Sequence, residues 1–252
     1  MVSLQDVQKA AENIKEVVAK VPFVKSDYLS ASKEYEVWLK KCCLQNTGAF
    51  KIRGAYNRIC SLSNEEKSAG VIAASAGNHA QGVAFSAKQF GIKAVIVMPE
   101  STPLLKVNGV KSHGAEVVLK GNNYDEAYAH AKEIASKNGM TFVHPFEDDE
   151  VIAGQGTIAL EILSKKPDID TIVVPVGGGG LISGRKVSIV VVPLGVGFLM
   201  QLPGLTPCVV RHSDGVKKIN AAVDVETRKD NGVSGNTQRC TVFGSFHVEG
   251  QA

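Results

Sequence analysis

The chain has 252 residues, 44% of them hydrophobic, and a formal net charge of +3 at pH 7. This length can bury the core of one large domain or two small ones, and the apolar content excludes disorder throughout. The sequence has no basic stripe with interleaved aromatic residues, which is the pattern that indicates nucleic-acid binding. The N-terminus lacks the pattern of a signal peptide, and no apolar run reaches membrane-spanning length. We therefore expect a cytoplasmic protein with no membrane partner.

The N-terminal residues have the pattern of an amphipathic helix over residues 3–20. Ser3 can cap this helix, Asp6 stands at the third helical position, and the apolar residues form one stripe. Residues 36–40 have the pattern of a strand. The cysteines that follow show neither a disulfide framework nor zinc-ligand spacing, so we expect free thiols and no metal site. They are Cys42, Cys43, Cys60, Cys208 and Cys240.

Short apolar runs then alternate with helical segments. The runs cover residues 71–74, 94–98, 116–119, 141–143 and 171–176, and the helical segments cover residues 78–90, 102–112, 123–137 and 150–165. This alternation predicts an α/β fold with a mostly parallel sheet that is buried on both faces. Ligands of such sheets bind at the carboxyl ends of the strands.

The alternation ends at residue 185. Residues 187–202 are apolar but interrupted by glycine and proline, and we predict one buried strand at residues 187–192. Residues 211–252 are polar and rich in Gly and Asn, and we expect them to be loosely packed. The sequence has no internal repeat.

Lys51 stands in the segment TGAFKIRGA, residues 47–55. A lone lysine on a helix is usually a solvated surface residue. Here Thr47 and Gly48 predict a helix start, which puts Lys51 in the first turn. The helix dipole and the apolar neighbours Phe50 and Ile52 would both lower the pKa of its amine there. A lysine that forms a Schiff base needs such a lowered pKa.

Two glycine-containing turns follow predicted strands: SAGNH at residues 75–79 and GGGGL at residues 177–181. Four consecutive glycines destabilise a chain unless bare backbone must approach a ligand closely, so the second turn is predicted to bind phosphate. Its spacing fits neither a Walker loop nor a complete dinucleotide fingerprint. The first turn either binds an anion or is a tight connection capped by Asn78. His79 lacks a second metal ligand at suitable spacing, which favours a structural role.

One lysine and two anion-binding turns are what a cofactor with an aldehyde and a phosphate requires. With SAGNHAQG (residues 75–82), VMP (97–99) and VGGGGL (176–181), the lysine segment resembles the fold-type II pyridoxal-phosphate enzymes over residues 4–184. The resemblance is strongest to bacterial threonine dehydratases, also called threonine ammonia-lyases. It implies pyridoxal 5'-phosphate as cofactor, an amino acid as substrate, and a homo-oligomer if the fold is complete.

The same resemblance implies a two-domain architecture like that of the tryptophan synthase β-subunit, with an incomplete large domain. Residues 1–53 and 145–184 would belong to the large cofactor domain, residues 54–144 would form the small substrate-side domain, and residues 185–252 would be an atypical C-terminal segment.

The resemblance also implies a role for each matched residue. Lys51 would bind the cofactor covalently and later take the α-proton of the substrate. Phe50 would pack against the cofactor ring, and Asn78 would bond to its phenolic oxygen. Backbone N–H groups would bind the phosphate at Gly177, Gly178, Gly179, Gly180 and Leu181. The substrate carboxylate would bind at Ser75, Ala76, Gly77, Asn78 and His79.

The implied reaction converts L-threonine to 2-oxobutanoate and ammonia, and L-serine less well to pyruvate. Serine racemases of this fold have a second serine where this chain has Ala76, and alanine cannot transfer a proton, so Ala76 favours elimination. A racemase and a β-replacement enzyme are the alternatives with the same cofactor machinery.

A catalytically impaired relative that at most binds the cofactor is a further alternative. Cys42 and Cys43 replace the usual Glu-Asn, and residues from 185 onward depart from the family. The family's Ser-Gly-Gly-Asn-like turn at the cofactor ring nitrogen has only a faint counterpart at residues 234–236.

Overall fold

The computed structural model describes residues 2–31, 36–169, 171–175, 177–189, 197–201 and 208–209. Within these ranges, no helix has both the length and the apolar character needed to cross a membrane. The elements in chain order are α1 (Leu4–Ile14), β1 (Phe23–Lys25), β2 (Trp38–Lys40), a 3-10 turn (Cys42–Leu44), α2 (Ile52–Cys60), α3 (Asn64–Ala69), β3 (Val71–Ala74), α4 (Asn78–Gln89), β4 (Ala94–Met98), α5 (Leu104–Lys111), β5 (Glu116–Leu119), α6 (Tyr124–Asn138), β6 (Thr141–Phe142), α7 (Asp149–Lys165), β7 (Thr171–Pro175), α8 (Gly180–Ile189), β8 (Gly197–Gln201) and β9 (Cys208–Val209).

A parallel sheet with strand order β5-β4-β3-β6 forms the centre of the fold. Every residue of β3 and β4 is buried. Val71 and Ala73 of β3 belong to one apolar cluster, with α4 and α5, while Ile72 and Ala74 belong to another, with α6. Alternate residues therefore pack on opposite faces, as expected for a parallel sheet covered by helices. The predicted α/β class is confirmed.

The order of the strands marks the edge where a ligand can bind. Strand β3 pairs with β4 on one side and with β6 on the other, all in parallel. The chain adds β4 and β5 on one side of β3 and then returns to add β6 on the other side. Ligands of open α/β sheets bind beside such a change in strand order. The turn at residues 75–77 follows the carboxyl end of β3, and residues 143–146 follow that of β6.

Helix α1 has the predicted capping box, in which Ser3 and Asp6 bond to each other's backbone N–H groups. It ends at Ile14 and not at residue 20. The cause is a contact distant in sequence: Gln45 accepts from the N–H of Ala19 at 2.7 Å and donates to its carbonyl at 3.0 Å. These bonds hold the backbone after α1 against the segment before Lys51, where a longer helix could not make them.

The prediction of a strand at residues 187–192 is wrong for its first three residues, because α8 continues through Ile189. A short apolar run fits a buried helix as well as a buried strand, and α8 packs along α7. Strands β7 and β8 pair in parallel, and β8 and β9 pair antiparallel. The predicted loose packing of residues 211–252 and the faint counterpart at residues 234–236 lie outside the described residues.

Candidate functional site

Lys51 lies at the end of the loop that leads into α2. It is the N-cap residue of α2, so the prediction that it falls in the first helical turn is wrong by one position. Its Nζ donates a hydrogen bond of 2.7 Å to the carbonyl oxygen of Pro145 and lies 5.5 Å from the centre of the Phe50 ring. Burial lowers the pKa of the Lys51 amine below its ordinary value. Desolvation is therefore the main cause of the expected shift.

A buried ion-pair cluster fixes the backbone that follows Lys51. The Arg53 side chain is 1% exposed, and its Nη1 donates to Thr157 Oγ1 at 2.9 Å and to Glu161 Oε1 at 2.6 Å. Lys40 contacts the other oxygen of Glu161. Burial would raise the pKa of the Glu161 carboxyl, but the bonds from Arg53 and Lys40 outweigh burial and lower it. The cluster ties the start of α2 to α7 and β2.

The turn at residues 177–181, which we call the glycine turn, leads from β7 into α8 and lies beside Lys51. Gly179 has a φ of +85°, which favours glycine. A Cβ on Gly178 would collide with the ring of Phe146, so the backbone there approaches an aromatic side chain closely. Gly180 begins α8, whose first N–H groups are free to bind an anion.

The lysine and the glycine turn line one cleft of about 220 Å³, which we call the lysine cleft. Its lining residues are Phe50, Lys51, Phe146, Pro175, Gly177, Gly178, Gly179, Gly180, Leu181 and Ile182. The cleft thus holds an amine with a lowered pKa together with bare backbone at the N-terminus of a helix. An aldehyde-and-phosphate cofactor fits this set, because the amine can react with the aldehyde and the N–H groups can bind the phosphate.

The turn at residues 75–79 lies next to the lysine cleft but does not line it. Ser75 Oγ accepts from the N–H of Gly77 at 3.2 Å, and Ala76 packs against the apolar core. Gly77 is the N-cap residue of α4, so Asn78 is its first helical residue and does not cap it. Asn78 is exposed. Its neighbour His79 is close enough to Lys51 for charge on one to disfavour charge on the other.

The His79 side chain holds α4 against the end of β6. It is 3% exposed, and its Nε2 lies 2.9 Å from the carbonyl oxygen of Val143. Burial lowers the pKa of His79 to about 3, so the ring is neutral and Nε2 donates. Across the described part of the chain, no three His, Cys, Asp or Glu side chains are grouped to hold a metal ion. A structural role for the imidazole agrees with this geometry.

Replacing His79 by glutamine should reduce the loss of stability in acid. The unfolded histidine binds a proton below about pH 6.5, whereas the folded ring resists protonation until about pH 3. Because the folded pKa of His79 is depressed, its contribution to the free energy of unfolding is fully present above pH 6.5. This contribution is lost as the pH falls from about 6.5 to about 3, by up to about 1.4 kcal/mol per pH unit. Urea unfolding of both proteins at several pH values measures the difference in slope. Equal slopes would contradict it.

Sequence reasoning missed Phe146, which lines the cleft, and its neighbours His144 and Pro145. Pro145 supplies the carbonyl that accepts from Lys51, and Phe146 packs against Gly178 and Gly180. Their one sequence signal was their position directly after β6, at the carboxyl end of a parallel strand. Among the described residues, Cys43 and Cys60 are thiols outside any disulfide.

A family model described as pyridoxal-phosphate dependent enzyme matches residues 14–200. The L-threonine ammonia-lyase of Thermotoga maritima is 54% identical over 189 residues, which are 75% of this chain and 47% of that protein. A catabolic L-threonine dehydratase of Staphylococcus aureus is 52% identical over 185 residues, 73% of this chain and 54% of its own length.

The fold is also similar to that of maize serine racemase, with a TM-score of 0.76 and 36% identity, over 79% of this chain and 60% of that one. The chain spans about half the length of the curated relatives it matches. The family match runs through the lysine segment and the glycine turn without interruption. We conclude that the chain belongs to the family of pyridoxal-phosphate-dependent enzymes.

Proposed function

We propose that the chain carries the cofactor site of a lyase that converts L-threonine to 2-oxobutanoate and ammonia, and L-serine less well to pyruvate. One observation carries the proposal: the partly buried Lys51 amine and the N-terminus of α8 line the same cleft. When bound, pyridoxal phosphate withdraws electrons from the α-carbon of the amino acid, which makes loss of the α-proton and of the β-hydroxyl feasible.

Lys51 has two tasks in this proposal. Its Nζ binds the cofactor covalently, and burial favours the neutral amine that this needs. Nζ would also take the α-proton of the substrate. The bond to the Pro145 carbonyl uses one N–H of the amine at 2.7 Å and so restricts the direction of its lone pair.

The remaining residues bind and orient. The N–H groups of residues 177–181 bind the phosphate, and Phe50 packs against the cofactor ring. Asn78 bonds to the phenolic oxygen, and the turn at residues 75–79 holds the substrate carboxylate next to Lys51. The exposure of Asn78 leaves its amide available for such a bond.

We further propose that residues 1–53 and 145–184 form the cofactor domain and that residues 54–144 form the substrate-side domain. We also propose a cytoplasmic location and a homo-oligomer.

The named relatives support elimination over the alternatives. The two threonine enzymes are 52–54% identical to this chain, and the solved serine racemase is 36% identical. Ala76 adds a chemical reason, because racemisation needs a proton donor on the face of the α-carbon opposite the lysine. A relative that binds the cofactor without turnover is the second candidate, since residues 201–252 lie outside the family match.

Product analysis tests the proposal. With L-threonine and no added nucleophile we expect 2-oxobutanoate and ammonia in equal amounts, and with L-serine we expect pyruvate and little D-serine. In Ala76→Ser, the new hydroxyl should raise the ratio of D-serine to pyruvate, because it can protonate the second face. D-serine formed by the unaltered chain as fast as pyruvate would contradict elimination. A bound-cofactor absorbance band without products would identify the impaired relative.

A further inference from the structure

Residues 144–147 form a tight turn after β6, which we call the His144 turn. His144 Nδ1 accepts from the backbone N–H of Glu147 at 2.7 Å and from that of Phe146 at 3.3 Å. The side chain thus bonds to the backbone two and three residues ahead, the pattern with which asparagine and aspartate close turns. Since Nδ1 accepts, the ring proton is on Nε2, which lies 3.7 Å from Glu147 Oε2.

The His144 turn contacts the lysine cleft in two ways, through the lysine amine and through the Phe146 ring that lines it. Its Pro145 carbonyl accepts from Lys51 Nζ at 2.7 Å. The Phe146 ring occupies the space that a Cβ on Gly178 would need, so it fixes the approach to the glycine turn. The His144 ring itself packs edge-on against the Phe146 ring, with centroids 4.7 Å apart. The positions of the Pro145 carbonyl and of the Phe146 ring therefore both depend on the His144 side chain.

We propose that His144 is a positioning residue for the cofactor lysine: by accepting from the N–H groups of Phe146 and Glu147, it holds the Pro145 carbonyl and the Phe146 ring around the Lys51 amine. This inference rests on the proposed function, because it takes Lys51 to be the lysine that binds the cofactor. Within the described residues, no hydrogen bond joins the His144 side chain to the amine or to the glycine turn, so it acts through its two neighbours.

The electrostatic surroundings keep the ring in the form that the turn needs. Burial lowers the pKa of His144, assisted by Lys132 and Lys51 and opposed by Glu147 and Asp148. Tyr128 of α6 adds an aromatic edge contact. A neutral ring retains the Nδ1 lone pair, whereas a protonated ring would present a donor to two donors.

Two substitutions separate positioning from bulk stability. His144→Asn keeps an acceptor, Oδ1, that can bond to the same two N–H groups, and His144→Ala removes the acceptor. Without it the turn should open and let water reach the Lys51 amine, so that the pKa of the amine rises towards its ordinary value. His130→Ala is the matched control, since His130 on α6 bonds through Nδ1 to the exposed Glu133.

The test measures the amine of the full chain before pyridoxal phosphate is added. Competitive acetylation across alkaline pH, quantified by peptide mass spectrometry against the exposed Lys9, gives the pKa and reactivity of Lys51. We expect the relative reactivity of Lys51 near pH 8 to fall about fivefold or more in His144→Ala, because each unit of pKa changes the neutral fraction about tenfold. His144→Asn and His130→Ala should stay within about twofold of the unaltered chain.

The outcomes distinguish the inference from the function on which it rests. A Lys51 pKa and reactivity equal in His144→Ala and the unaltered chain would overturn the inference, and so would a loss in His144→Asn as large as in His144→Ala. If pyridoxal phosphate and borohydride modify Lys51 in the unaltered chain, the cofactor-binding role of Lys51 stands in either case. Failure of that modification would overturn both.

Discussion

Lys51→Ala is expected to abolish the borohydride-reducible adduct of pyridoxal phosphate on the protein. The amine in the lysine cleft has a pKa lowered by burial, and among the described residues that line this cleft Lys51 is the one lysine. A neutral amine is the form that attacks an aldehyde. The measurement is the mass of the reduced pyridoxyl group on tryptic peptides.

Two controls make this first result specific. Lys51→Arg keeps a positive charge and a donor for the Pro145 carbonyl but cannot form the adduct, so it should also lose the signal. Lys93→Ala removes an exposed lysine that pairs with Glu116 and should keep the signal. A reduced pyridoxyl-lysine at the unaltered level in Lys51→Ala would show that another lysine binds the cofactor.

Gly179→Val is expected to weaken retention of the cofactor by about 30-fold or more. The residue has a φ of +85°, so a valine must change the backbone that presents N–H groups to the phosphate. Loss of one or two bonds to a charged group corresponds to about 2–4 kcal/mol. Equilibrium titration with pyridoxal phosphate, followed by absorbance, measures the dissociation constant.

Gly139→Val is the matched control for this change. Gly139 ends α6 with a φ of +67°, and an added Cβ would meet nothing within 4 Å at either glycine. Both valines should therefore destabilise the cofactor-free protein by a similar amount, about 1–2 kcal/mol for a left-handed position. Only Gly179→Val should change the dissociation constant. Equal affinity in both variants would exclude phosphate binding by the glycine turn.

The sequence predicted the central sheet because its buried strands are short apolar runs separated by helical periods. The lysine and the glycine turn were predictable for a similar reason, since each has a local pattern with a physical cost that a ligand explains. The end of α1 was not predictable, because the bonds between Ala19 and Gln45 join segments 26 residues apart. The run at residues 187–189 was misassigned because its apolar character suits both kinds of element.

The residues after β6 that contact the lysine amine or the glycine turn had no comparable pattern in the sequence. Pro145 takes part through its carbonyl, a group that every residue carries, and the sequence cannot reveal which carbonyl meets an amine. His144 acts as a turn-closing acceptor, a role that sequence patterns assign to Asn, Asp, Ser and Thr. Both become recognisable once the end of β6 is known to lie beside α2.

The partners of the lysine segment emerge from the ribosome long after the segment itself. Lys51 and Pro145 are 94 residues apart, and Arg53 and Glu161 are 108 residues apart. At about 5–20 residues per second, roughly 5–20 s of synthesis separate each pair. During this interval the Lys51 amine lacks its carbonyl acceptor and the Arg53 guanidinium lacks its carboxylate partner. The cleft also needs the glycine turn at residues 177–181, so the proposed covalent capture of the cofactor in it requires that this turn too has left the ribosome, which makes capture a late event in the life of the chain.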